Sequence, residues 1–164
     1  MSVILTERLS HLPENRRREL ERIARILFGE FEDVQKSRLS DTEKGGRILK
    51  LLLFGPFARC DWVEDRENDG RSEYNLLVVV TTETFADPSF WYRGIDRFLR
   101  ELTVTRHLAT PVNFIVHSVT DLNKQLAYGW PFFVDIARDG ILLYETPGLP
   151  RAKPKPQDPE VVEG

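Results

Sequence analysis

The stretch Leu53-Phe54-Gly55-Pro56-Phe57-Ala58-Arg59-Cys60-Asp61 decides how the rest of the chain is read. A strand-like run from Arg47 to Phe54 stops at a glycine, and a short turn leads into Phe57-Ala58-Arg59. Strand, glycine, turn and helix is the order by which many folds bring backbone N–H groups up to a phosphate. Pro56 disturbs that expectation, because it follows the glycine directly and has no N–H to donate. Two readings stay open on these residues alone. One is a phosphate-facing turn; the other is a tight strand-to-helix turn with proline at the first helical position, which it tolerates well.

Upstream, Leu20, Ile23, Leu27, Phe31 and Val34 recur at intervals of three or four, which predicts an amphipathic helix from Pro13 to about Val34. Residues 35–46 read as a polar connector ending in Gly45-Gly46. Downstream, Asp61 to Arg71 is a charged loop that delivers the chain to Glu73–Thr81, EYNLLVVVT, the strongest strand signal present. Asp87-Pro88 reads as a helix N-cap with a first-turn proline, followed by a core stripe of Trp91, Ile95, Phe98, Leu99 and Leu102. A third strand is expected from Val112 to about His117. Ser118 with Asp121 resembles a capping box, Pro131 opens a further helix that Gly140 ends, and Ile141–Glu145 forms a last short strand. Strands alternating with helices predict an α+β or α/β sheet domain.

A chain of 164 residues, 41% hydrophobic and 30% charged, suits one domain with a core plus a tail. The formal charge of −3 supplies no global field for nucleic acid or an anionic membrane. Arg16, Arg17, Arg18, Arg22 and Arg25 are interleaved with Glu14, Glu19 and Glu21, the pattern of a solvated helix face. The single cysteine, Cys60, leaves no intramolecular disulfide, and no leader-like apolar segment or membrane-length span is read, so a soluble cytoplasmic protein is expected. His11, His107 and His117 lack the spacing of a structural zinc site. Five of the ten prolines fall in residues 147–164, which read as a disordered tail or linker. The expected organisation is an N-terminal helix and connector (1–46) packing on a core (47–146), then the tail (147–164).

Three segments in order carry a family resemblance. Phe54-Gly55-Pro56-Phe57-Ala58-Arg59-Cys60 follows a strand, Ser72-Glu73-Tyr74-Asn75-Leu76-Leu77 opens another, and Ile136-Ala137-Arg138-Asp139-Gly140-Ile141-Leu142-Leu143-Tyr144-Glu145 closes the folded part. Over roughly residues 45–146 the chain resembles the minimal nucleotidyltransferase domains of the polymerase-beta-like superfamily. Their pattern is strand–F-G-S-x-A-R-G–helix, then S-D-x-D-L-L-V-x-V, then a third carboxylate on a later strand. The resemblance implies a small mixed sheet flanked by helices. It also implies transfer of a nucleoside monophosphate from an NTP, usually ATP, to an acceptor hydroxyl with the help of Mg²⁺. Two carboxylates at i and i+2 share one face of a strand and together hold the metals that stabilise attacking and leaving oxygens.

Mapped residue by residue, the resemblance implies a nucleotide-binding set of Gly55, Pro56, Arg59 and Ser72, with Glu73, Asn75 and Asn113 at the carboxylate positions and Glu73 and Asn75 at the metal. Most of these depart from the pattern. Pro56 replaces a serine, Cys60 a glycine, Glu73 the first aspartate, Asn75 the second, and Asn113 stands at the third position. The nominal charge of the cluster falls from three negatives to one. A contact between a divalent cation and a carboxylate is worth several kcal/mol even at an effective dielectric of about 20, so metal binding is expected to be weak or absent. Acids of the charged loop (Asp61, Glu64, Asp65, Glu67, Asp69), a Cys60 nucleophile and a site-facing His117 are candidate additions. For each, the ordinary alternative is a solvated loop, a half-buried thiol or a hydrogen-bonded strand-end histidine. A plain dinucleotide-binding domain is disfavoured, since no G-x-G-x-x-G follows the first strand.

The expected function is accordingly a nucleotidyltransferase-fold protein with degenerate motifs, acting as a non-catalytic nucleotide- or partner-binding, antitoxin-like module. The alternative is an active Mg²⁺-dependent transferase. The family implies a HEPN-type protein or domain as partner, in the manner of toxin–antitoxin pairs.

Overall fold

The computed structural model describes residues 9–37, 46–59 and 72–146. Cys60, the charged loop after it, Gly45 and the Pro-rich tail lie outside the described residues. The elements run α1 (Glu14–Ser37), β1 (Ile48–Phe54), α2 (Pro56–Arg59), β2 (Tyr74–Val80), a 3₁₀ turn (Glu83–Ala86), α3 (Pro88–Thr103), β3 (Val112–Ser118), α4 (Val119–Ala127), α5 (Pro131–Asp139) and β4 (Ile141–Glu145). The strands form one sheet in the order β3-β2-β1-β4. β1 pairs antiparallel with both β2 and β4, whereas β2 and β3 are parallel and joined through α3. The chain is therefore an α+β protein with a mixed four-stranded sheet flanked by helices.

Period-2 alternation divides the sheet into two faces. Leu51, Leu53, Tyr74, Leu76, Val78 and Val80 point into the main core with α1 and α3; Leu52, Phe54, Leu77 and Val79 point into a smaller core with Ile136 of α5. That is why β1 and β2 read as near-continuous apolar runs. On the first face, α1 buries Leu20, Ile23, Leu27 and Phe31. Phe31 meets the rings of Phe85, Phe90 and Trp91 at 5.2, 5.3 and 5.9 Å, and Trp91 donates from Nε1 to the Phe85 carbonyl at 2.7 Å.

The expected caps are present. Asp87 accepts from the Ser89 amide at 2.9 Å, and Ser118 accepts from the Asp121 amide at 3.0 Å. Gly140 ends α5, but with φ −67° rather than a left-handed conformation. A Cβ there would collide with the Ile136 carbonyl oxygen, so close approach rather than backbone freedom calls for glycine.

The α3 core stripe differs from expectation. Phe90, Trp91, Gly94, Phe98 and Glu101 are buried, whereas Ile95 and Leu99 are 51% and 57% exposed. The helix turns a glycine and a paired glutamate inward. Gly94 packs beside Glu30 of α1, its Cβ position 3.8 Å from the Glu30 Cβ. Glu101 is buried because it is thoroughly hydrogen-bonded: Arg22 donates to it from Nη2 at 2.8 Å, Thr105 from Oγ1 at 2.9 Å, and His107 Nδ1 lies 2.7 Å away.

Candidate functional site

The parallel and antiparallel registers together gather the sequence-predicted positions at one end of the sheet. Phe54 is the register partner of Asn75 on β2, and Asn75 is the register partner of Asn113 on β3. Gly55 follows Phe54 directly. Its φ of +79° lies in the left-handed region, which glycine adopts without steric cost. The same residue leaves room for its neighbour, because a Cβ on Gly55 would sit 2.8 Å from Asn75 Nδ2. Gly55 also closes the turn into α2: its carbonyl accepts from the amides of Ala58 and Arg59 at 3.0 and 3.1 Å.

Asn75 and Asn113 engage each other. Asn113 donates from Nδ2 to Asn75 Oδ1 at 3.3 Å, and Asn75 donates from Nδ2 to the Glu73 carbonyl at 3.3 Å. Glu73 immediately precedes β2, shares the Asn75 parity and is exposed; Ser72 beside it is half-buried. Pro56 occupies the first position of α2 and is half-buried. Arg59, at the end of α2, is exposed. Its charge reaches the end of α5. The Arg138 guanidinium holds the Asp139 carboxyl below the usual carboxylate range, and Arg59 adds to that pull.

The donor set does not fit Mg²⁺. A hard divalent cation prefers carboxylate oxygens, and of the three mapped positions only Glu73 carries one. The Asn75 carbonyl oxygen is already accepting from Asn113. Among the described residues no group of three or more His, Cys, Asp or Glu side chains is placed to hold a metal ion. His117 lies on the same strand face as Asn113, yet its Nδ1 is 2.6 Å from Asp121 Oδ2 and its ring packs edge-on to Phe133 at 5.0 Å. That is the hydrogen-bonded strand-end histidine.

Local sequence reading missed what holds this corner from behind. On the opposite face of β2, the Tyr74 hydroxyl donates to Glu19 Oε1 at 2.7 Å. Burial first, and the Glu19 carboxylate second, push the Tyr74 pKa far up, so the phenol stays protonated. Glu19 also accepts from the Ala109 amide at 2.7 Å and is paired with Arg16 at 3.3 Å. Arg16 bonds to Thr110 and lies over the Phe57 ring, 5.1 Å from its centroid. Phe57 in turn packs on Tyr74 at 4.6 Å, and its carbonyl is 2.8 Å from His11 Nε2. The first turns of α1 thus clamp α2 and the starts of β2 and β3. On the site face, Phe132 of α5 stands edge-on to Phe54 at 5.6 Å.

No protein-family model matches the chain, and no curated protein sequence matches it. Among solved structures, a protein from Sulfolobus solfataricus provisionally assigned as a nucleotidyltransferase aligns with 82% of this chain and 90% of its own, at 15% identity and a TM-score of 0.37. No helix among the described residues is long and apolar enough to cross a membrane.

Proposed function

We propose that the chain is a nucleotidyltransferase-fold protein whose metal site is lost, working as a binding module rather than as a transferase. One observation carries this reading. The residues mapped onto the family's turn and carboxylates, Gly55, Asn75 and Asn113, come from three separated segments and meet at one sheet end, where two neutral carboxamides bond to each other at 3.3 Å. Convergence supports the mapping, and the mutual bond supports the loss. Two carboxylates at that distance would repel unless a cation lay between them; two carboxamides satisfy one another without one.

On this reading the protein retains the family's partner surface, with a HEPN-type protein as the candidate partner in an antitoxin-like pair, and binds nucleotide weakly through the Gly55 turn, Arg59 and Ser72. Calorimetry with ATP, with and without Mg²⁺, tests it. The expected outcome is weak binding that Mg²⁺ does not improve. Metal-dependent micromolar binding that disappears in Glu73→Ala would overturn it. A second reading, an active Mg²⁺-dependent transferase, draws on Glu73, an exposed carboxylate at the Asn75 parity. Incubation with labelled ATP and a HEPN-type protein separates the two. Label on the protein supports the enzyme, and a stable unlabelled complex supports the binding module.

A further inference from the structure

A cleft of about 610 Å³, a volume in the range of small-ligand sites, lies between α1 and α3. The sheet separates it from Asn75 and Asn113, because α1 and α3 pack on the other face. Its charges are layered. Glu30 and Glu101 are buried, whereas Arg22, Arg93, Arg97 and Arg100 are between 41% and 70% exposed. Among the described residues Asp96 is the one exposed acid of the lining. A ligand arriving from solvent therefore meets guanidinium groups first.

Those groups are aligned and largely unused. Arg93, Arg97 and Arg100 recur at i, i+4 and i+7, on one side of the helix, over about 10 Å of its axis. Arg22, on α1, is held by Glu101 at 2.8 Å. A guanidinium carries five N–H donors, yet Arg97 gives one nitrogen to Glu30 Oε1 at 3.3 Å. Arg93 and Arg100 stand 3.7 and 3.6 Å from Glu30 and Asp96, too far to donate.

Two further features ask for more than an anion. The Glu30 side chain is 9% exposed, and its Oε2 accepts no hydrogen bond among the described residues. A buried acceptor left unmet is costly, and a ligand that brings an N–H donor removes the cost. Tyr92 lines the same cleft and exposes its ring, and aromatic side chains in cationic grooves take bases by stacking.

We propose that this cleft binds a nucleotide unit whose base carries an amino group. The phosphate lies on the Arg93–Arg97–Arg100 row, the base stacks on Tyr92, and the amino group donates to Glu30 Oε2. Glutamate accepts from the amino group of cytosine in the same way. Arg93 gives up only a long contact when it turns to the phosphate, and its departure opens the way to Oε2. An inorganic anion lacks the donor and the flat face, and a run of acidic residues lacks the face. The unit belongs to a free nucleotide or to a single strand, since the same three contacts serve both. The site is separate from the Gly55 turn and requires no metal.

Titration of the full chain at low salt with CMP and UMP, whose bases carry an amino group and a carbonyl oxygen at the same place, tests it. Labelled oligocytidine and oligouridine form the second arm. Both cytidine probes are expected to bind, and the uridine probes about tenfold more weakly. Arg93→Gln/Arg100→Gln, at two exposed positions, is expected to weaken CMP binding by about tenfold or more with an unchanged far-UV spectrum. Arg59→Gln, at the end of α2, should leave it unchanged. Hydrogen exchange on the unmodified protein needs no variant: saturating CMP should slow the α3 amides and leave those of α2 as they were. Oligocytidine binding tighter than CMP assigns the unit to a strand, and equal affinity assigns it to a free nucleotide; either supports the site. No binding of either cytidine probe overturns the proposal. So do equal affinities for CMP and UMP, an octaglutamate peptide that binds as tightly as oligocytidine, undiminished binding in the well-folded double variant, and protection at α2 in place of α3. Absence of ATP binding at the Gly55 turn is a distinct result, since Arg59→Gln and the α2 amides report on that turn alone.

Discussion

A Cβ built on Gly55 would stand 2.8 Å from Nδ2 of Asn75, so the turn after β1 and the side chain on β2 fit only while one of them has no side chain. Glycine is needed twice over, because its φ of +79° also falls where other residues are strained. Gly55→Ala is expected to destabilise the fold by about 1–2 kcal/mol from the backbone alone, and by more if Asn75 cannot move aside. Urea unfolding should show a lowered midpoint with an unchanged slope.

The Asn75–Asn113 bond offers a direct test of the residue mapping. Asn75→Asp/Asn113→Asp places two carboxylates where the carboxamides now bond at 3.3 Å. Repulsion should lower the melting temperature in metal-free buffer. Added Mg²⁺ should restore it in a concentration-dependent way, as for any ligand of the folded state alone, and chelation should reverse the gain. The unmodified protein should melt at the same temperature with Mg²⁺ or chelator. If Mg²⁺ leaves the double variant unmoved, these positions are not the family's metal positions.

Acid should weaken the contact between α1 and α3. Burial pushes the Glu101 carboxyl up, but hydrogen bonds from Thr105, Arg22 and His107 outweigh it and hold its pKa below the ordinary value. A carboxyl whose pKa is depressed on folding contributes stability above its unfolded value of about 4.3, and that contribution is lost as pH falls through the folded value. Glu101→Gln is expected to cost about 1–3 kcal/mol at neutral pH and to flatten the acid limb of the stability–pH curve. Urea midpoints measured from neutral pH downward check both.

Tyr74→Phe should separate the hub behind the site from the site itself. It removes one hydrogen bond, at a cost of ~1 kcal/mol, and keeps the packing on Phe57. Glu19→Ala takes away the acceptor shared by Tyr74, Ala109 and Thr110 and the carboxylate facing Arg16. A loss of about 3 kcal/mol is expected, as for breaking a buried ion pair. Thermal melts of the two variants should differ in that order.

The elements that sequence reading placed well are those whose signals are local. The spacing of Leu20, Ile23, Leu27 and Phe31 named α1, the β-branched run named β2, and Asp87 and Ser118 named two helix starts, because a cap and the amide that donates to it lie within three residues. The convergence of Gly55, Asn75 and Asn113 was legible only through the family pattern, since sheet register is not written in any one segment. α3 was misjudged because its apolar arc is wider than its buried arc. Ile95 and Leu99 continue the arc into solvent, while the buried Gly94 and Glu101 give no apolar signal. Glu101 owes its burial to Arg22, 79 positions earlier, and Tyr74 owes its hydroxyl bond to Glu19, 55 positions earlier. Pairings at that separation leave no local periodicity.

β2 faces two ways, with Tyr74 turned into the α1 clamp and Asn75 turned toward Asn113. Adjacent letters of the chain thus answer to different demands. A substitution at 73 or 75 alters what the open end of the sheet can hold, yet leaves the ring stack of Phe57 and Tyr74 and the Glu19 bond in place. The donors at this end of the sheet can therefore change while the architecture stays as it is.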